Sequence, residues 1–241
     1  MSNKLKFFLG VSYLLILFAF LYLIFTNIQI NRLGDFSYYK EIQSELVYFI
    51  SKNIILNLIY FFIFTVIWVS LLGFGSPILI ISGIFFGQWL GTIVSVLSMS
   101  LGSLILYDLG NFFFRDLVKE ILEKKFENYI KLFQKNELYY FFIYRLIGGL
   151  GVPFGLQNLI PILFGMKKIN YFLASFFGFI PGIFVFSTIG AGLNSYIDQA
   201  QTFSIIDLML TKEIYLPILM FAGLMISSLI IKKFFFDDSN R

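Results

Sequence analysis

The sequence predicts an all-α, polytopic helical membrane protein with two facing re-entrant hairpins in an inverted repeat. Three observations carry this prediction. Hydrophobic residues make up 59% of the 241-residue chain and charged residues 13%, where soluble domains carry about 25% charged. Long apolar runs recur along the chain, each close to the roughly 20 residues that cross a bilayer as a helix. Two of the apolar stretches are broken by dense Gly and Pro, at Gly73–Pro77 and again between Tyr144 and Gly165. A broken helix at membrane depth is tolerated only where it is buried in protein or lines a wet cavity.

Composition also excludes chemistry. The chain has no Cys and no His, which rules out disulfides, thiolate metal sites and Cys nucleophiles and removes the commonest metal ligand and general base. No nucleophile–base pair is recognisable, so the reading is that of a non-enzyme without cofactor or metal. GVPFG at 151–155 has glycines but no following lysine of a phosphate loop. The whole chain, 1–241, reads as one integral membrane domain.

In chain order, residues 7–25 form an uninterrupted apolar run. It reads as an uncleaved first helix, because it is long and no A-x-A-like site follows. From Tyr39, the apolar positions Tyr39, Ile42, Leu46, Phe49 and Ile50 fall at helical spacing, with Lys40, Glu41, Gln43 and Glu45 facing away. That predicts a short helix on the membrane surface. Residues 54–72 are apolar, and the breakers Gly73, Gly75 and Pro77 follow. The next apolar segment ends at Gly87 after ten residues, about 15 Å of helix and half a bilayer. Residues 77–87 therefore read as dipping in and returning, and Trp89–Phe113 as spanning.

Residues 115–138 are the one highly charged segment. Val118, Leu122, Phe126, Tyr129, Ile130 and Phe133 form a stripe, and Glu120–Lys124 and Glu127–Lys131 are i,i+4 pairs on the other side. This is an amphipathic connector, and no nucleic-acid partner is expected. The stretch Tyr144–Gly165 follows, with Gly149, Gly151, Pro153, Gly155 and Pro161 as breakers and Arg145, Gln157 and Asn158 as polar residues. Tyr171–Ile189 reads as a span kinked at Pro181-Gly182, 191–213 as a polar loop, and 215–231 as the last helix.

Charge fixes an expected topology. With a cytoplasmic N-terminus, non-crossing hairpins and four spans, the cytoplasmic pieces hold thirteen Lys and Arg and the outer pieces four, which fits the positive-inside rule. On that topology both termini are cytoplasmic and the hairpins enter from opposite faces. The halves also resemble each other in sequence. Pro77 matches Pro153 at an offset of 76, Gly87 matches Gly165 at 78, and each is followed by a span containing a glycine, Gly102 or Gly178. Inverted repeats with a site at the midplane are a common transporter architecture.

SPILIISGIFFGQWLG in the first half, with YRLIGGLGVPFGLQN and FFGFIPG in the second, resembles the DedA-like superfamily of VTT-domain, or SNARE-associated Golgi, membrane proteins. The likeness covers about 54–192 and looks strongest to the branch named for a Golgi vesicle membrane protein. It implies two facing re-entrant hairpins and lipid-related transport, with Arg145, Pro153 and Asn158 at the family's motif positions. Three departures stand out. Gly148-Gly149 replaces the usual Pro-Gly, and Val152 stands where the bacterial proteins have a second Arg. The acids those proteins use for proton coupling are also missing, since no Asp or Glu lies between Leu46 and Tyr107.

Arg145 is the leading candidate, because its planar, permanently charged fork suits a phosphate or carboxylate. The competing reading is a structural Arg bonded to carbonyls freed by the broken helix. Asp108 is either a partner of Arg145, a protonatable site or an interfacial residue. Gln157 and Asn158 either bind a headgroup or bridge the hairpins. The expected function is translocation of a lipid or anionic solute; the alternative is a membrane-organising scaffold that moves nothing. Membrane lipids are the expected partners, a homo-oligomer is left open, and the expected location is a bacterial inner membrane.

Overall fold

The computed structural model describes residues 35–71, 75–200, 202 and 204–236 and isolated positions before 35, with side chains at these positions except 114–132, 150–151, 205, 224–225 and 228–236. The first helix expected at 7–25, the Gly73 breaker, the pairs Glu120–Lys124 and Glu127–Lys131, and most of the connector's stripe lie outside the described residues or side chains. Among the described residues the chain is 92% helical, without strands. It divides into two compact units, Met1–Ile42 and Gln43–Arg241. In the first unit Arg32 pairs with Glu41 at 3.0 Å, and Asp35 accepts hydrogen bonds from the Ser37 amide and hydroxyl. Apart from the start of the helix that straddles the boundary, everything below concerns the second.

Helix α1 (Phe36–Lys52) matches the predicted surface helix in position. Its stripe is only partly buried: Ile50 is inside, while Leu46 and Phe49 are exposed. Asn53 then turns the chain by 108°. Its side chain accepts from the Leu56 amide at 3.2 Å and so caps α2 (Ile54–Ser70).

Residues Gly75–Lys135 are helical on both sides of Gly87 and are treated together as α3, yet the segment is not straight. At Gly87 the backbone takes φ +73°, a conformation that L side chains rarely adopt. Beyond it the chain runs back beside itself. A Cβ at Gly91 would stand 2.7 Å from the Ser82 carbonyl oxygen, and one at Gly75 3.0 Å from the Met99 methyl. On a straight helix Ser82 and Gly91 would be about 13.5 Å apart. The part before Gly87 is therefore a short arm, and 88–113 is the long helix. Gly75–Phe113 is apolar enough to cross a membrane, and the crossing belongs to that second part.

The second half also has a helix, a broken short segment and a long helix. Helix α4 (Glu137–Leu146) is followed by a 3-10 turn (Gly148–Gly151), the short α5 (Phe154–Leu159) and a second 3-10 turn (Ile160–Phe164). Gly165, at φ +60°, then leads into α6 (Lys168–Gln199), which is also long and apolar enough to cross a membrane. The packing repeats in register. A Cβ at Gly102 would meet Val69 and the Val66 carbonyl, and one at Gly178 would meet Arg145 and the Phe142 carbonyl. Each member of the second set lies 76 residues after its counterpart.

Helix α6 runs ten residues past the expected end at Ile189, taking in part of the predicted polar loop. A helix leaving the bilayer keeps its own backbone bonds, and Asn194 at this end accepts from Gln43 of α1 at 2.8 Å. Helix α7 (Ile205–Leu210) interrupts the rest of that loop, capped by the Ser204 hydroxyl. Helix α8 (Lys212–Phe236) contains the predicted 215–231.

The starts of the two short arms meet, since a Cβ at Gly75 would stand 3.8 Å from the Phe154 ring. Around that meeting point Val69, Leu79, Val96, Met99, Phe179 and Ile183 form a buried cluster with Phe154 packed against it. A second cluster of Tyr107, Phe141, Ile162, Met166, Tyr171 and Ala174 lies beside Arg145.

Candidate functional site

Arg145 sits in the last turn of α4, one residue before the helix ends. Its side chain is held where α4, α5 and α6 converge, and it is 3% exposed. Burying a guanidinium is costly unless its donors are satisfied. Here Nε donates to the Ser175 hydroxyl at 3.3 Å and Nη1 to Gln157 Oε1 at 3.4 Å. Nη2 donates to the Tyr171 hydroxyl at 2.9 Å and also to Asn158 Oδ1. The faces of Phe141 and Phe179 lie 4.7 and 4.6 Å from the guanidinium carbon, where the ring quadrupole attracts a cation. All four oxygens are neutral, and among the described residues no carboxylate pairs with this charge.

The broken backbone positions these partners. Gly148 and Gly149 both have positive φ, and the chain reverses through them so that α5 folds back beside the end of α4. A Cβ on Gly149 would strike the Gln157 amide. Gln157 donates to the carbonyls of Gly148 and Val152 at 3.2 and 2.6 Å, which satisfies groups left open by the turn. Asn158 donates to the Phe154 carbonyl at 2.9 Å. Each amide thus ties the turn with its nitrogen and holds Arg145 with its oxygen. Gly151 closes the first 3-10 turn, Pro153 precedes α5, and Gly155 lies within α5.

Tyr171 is the residue that sequence reading missed. Its hydroxyl accepts from Arg145 and donates to Asn158 Oδ1 at 2.9 Å. Its ring stacks on Tyr107 at 4.5 Å and on Phe141 at 5.1 Å. Tyr107 in turn donates to the Met166 carbonyl at 2.6 Å, beside the Gly165 turn. The available signal was the spacing of Tyr171 and Ser175, which puts two hydroxyls one turn apart on a single face of α6.

Asp108 is not brought to Arg145. It pairs with Lys168 at 2.9 Å, both side chains being substantially exposed. With its neighbours it secures the second glycine turn: Glu137 accepts from the Lys167 amide at 3.2 Å and from Asn170 at 2.6 Å, and Gln134 donates to the Phe164 carbonyl at 3.0 Å. The first arm is fastened differently, with Ser82 and Ser187 hydroxyls 3.2 Å apart and a Cβ at Gly83 colliding with the Ser187 backbone.

Two cavities accompany these helices. One, of about 390 Å³, is lined by Tyr196, Gln199, Asp207, Thr211 and Glu213 among others. The other, of about 420 Å³, is apolar and lies between Pro181, Phe184 and Val185 of α6 and Met220, Gly223 and Ser227 of α8. Neither is lined by Arg145, Gln157 or Asn158. Arg145 and its four side-chain partners are all buried.

Long apolar helices, a folded-back arm and a buried cation held by neutral dipoles define an integral membrane protein of the helical class. The chain carries a VTT domain, the domain of the DedA/SNARE-associated family, matched over residues 73–192. That interval runs from the first breaker through most of α6 and includes Arg145 and all its partners. No curated protein matches the chain, and no solved structure does.

Proposed function

We propose that this protein moves an anionic lipid or solute across its membrane, with Arg145 as the group that recognises the anion. One observation carries the reading: a buried guanidinium surrounded by neutral oxygens only. A permanent cation at this depth is expensive, roughly 2.5–3.5 kcal/mol on insertion scales. Among the described residues no carboxylate offsets that cost. We read the halves as an inverted repeat whose arms meet at the midplane. The shared packing register of Gly102 and Gly178 supports this, as does the expectation that the arms enter from opposite faces. In that repeat Val69 takes the place of Arg145, so the cation is supplied by one half alone. Membrane lipids are the natural partners, no catalysis is required, the cytoplasmic termini follow the charge pattern, and a bacterial inner membrane is the location we propose.

A second reading, a membrane-organising scaffold of the Golgi-vesicle type, is favoured by the filled apolar cluster where the arms meet. A scaffold needs no opening there, whereas transport requires the arms to part. Lipid translocation in liposomes separates the two. Purified protein is reconstituted, and labelled lipid is followed as it becomes accessible to a membrane-impermeant quencher. Wild type should exceed empty liposomes and Arg145→Ala should fall to their level while keeping its helix content. Full activity in the variant would sink the role of Arg145; no translocation by either chain would favour the scaffold.

A further inference from the structure

We infer that Tyr171 and Ser175 stand in the place of the transported anion, so that the arrangement around Arg145 is a masked binding site. This rests on the reading of Arg145 as the anion-recognising cation. A guanidinium presents its donors along distinct edges, and the edge formed by Nε and Nη2 is one that pairs two parallel bonds with a carboxylate or phosphate. On that edge Nε is bonded to Ser175 Oγ at 3.3 Å and Nη2 to Tyr171 Oη at 2.9 Å. Both hydroxyls come from one turn of α6, four residues apart, and both residues are fully buried. Together they imitate the two oxygens of an oxyanion. The remaining donor side is held by Gln157 and Asn158 of α5, whose amides are also tied to their own backbone.

This division gives the two helices different roles. The α5 amides keep hold of the guanidinium, and the α6 hydroxyls leave when the anion arrives. Charge favours the exchange, because an ionised oxygen adds ion-pair attraction that the neutral hydroxyls cannot supply to the same two donors. The hydroxyls are not stranded by it. Tyr171 has a second partner in Asn158 Oδ1, and a serine in a helix can turn to the carbonyl four residues back. The ligand is an oxyanion that presents two oxygens, as a phosphate group does. Its source is either a lipid headgroup or a free anion.

Calorimetric titration tests this on the full chain in phosphatidylcholine nanodiscs. One arm uses inorganic phosphate, the other the short-chain lipid dihexanoyl phosphatidic acid. Tyr171→Phe and Ser175→Ala should each bind tighter than wild type by about tenfold, the low end of the scale for one hydrogen bond to a charged group. Arg145→Ala should bind neither probe. Equal affinity in both arms identifies the phosphate group as the ligand, and tighter binding of the short-chain lipid identifies the headgroup on its lipid. Should Tyr171→Phe not fold, Ser175→Ala decides alone. Unchanged or weaker binding in the folded hydroxyl variants, with Arg145→Ala still blind to the probe, overturns the masking and leaves the transport reading standing. Absence of binding in every chain overturns both.

Discussion

At the scale of single residues, the neutral shell around Arg145 satisfies the buried guanidinium. A lysine could not replace it, since a compact ammonium lacks the planar fork that spans Ser175, Tyr171 and the two α5 amides. The approach of α6 to this side chain is equally tight. A Cβ at Gly178 would stand 2.5 Å from the Arg145 Cβ and 3.1 Å from the Phe142 carbonyl, whereas one at Gly182 meets nothing within 4 Å. Gly178→Ala should therefore destabilise by about 1–3 kcal/mol through overpacking, while Gly182→Ala should be neutral or stabilising by up to about 1 kcal/mol. Thermal unfolding of the two variants in one detergent compares them directly; equal midpoints would contradict the packing described. Asp108 and Lys168 lie at the other extreme. Their exposed pair should be worth about 0–1 kcal/mol, so Asp108→Asn should shift stability little, and the shift should shrink further in high salt.

At the scale of elements, the decisive event is the reversal at Gly87. A run of 61 helical residues would exceed any bilayer if straight, at about 90 Å. The fold-back divides it into an arm and a crossing helix. Because the chain has no Cys, cysteines introduced at Ser76 and Leu97 can carry unique spin labels. On a straight helix their backbones would lie about 31 Å apart, and across the hairpin near the roughly 10 Å of packed neighbouring helices. A measured distance distribution centred near the longer value would refute the fold-back. The turn at Gly165 is secured by polar groups from α3 and α4, namely Tyr107, Gln134 and Glu137. At the Gly87 turn the described contacts are aromatic, with Phe61 on Phe86 at 5.3 Å and Trp89 on Phe184 at 5.2 Å. Both turns have a glycine at positive φ, and their fastenings differ.

At the scale of the whole molecule, the VTT domain, the repeated packing register and the closed apolar centre belong together. Each half is a helix, a short arm, a positive-φ glycine and a long helix, and the arms meet at Gly75 and Phe154. The sequence alone determined the class, because apolar run lengths and scarce charge admit only a helical membrane protein. It also marked the glycines of the two turns, Gly87 and Gly165, and those of the close helix approaches, Gly102 and Gly178, since such positions select Gly from a short list of residues. Arg145, Gln157 and Asn158 were legible as a set, because polar groups in a broken apolar stretch are few. Tertiary structure alone decided their partners. Asp108 went to Lys168, and Tyr171 and Ser175, which read as ordinary residues of a span, became the groups that fill the edge of the guanidinium. The reason is physical: composition and periodicity report what a residue costs to bury, while the identity of its partner depends on which helices the folded backbone brings within hydrogen-bond reach.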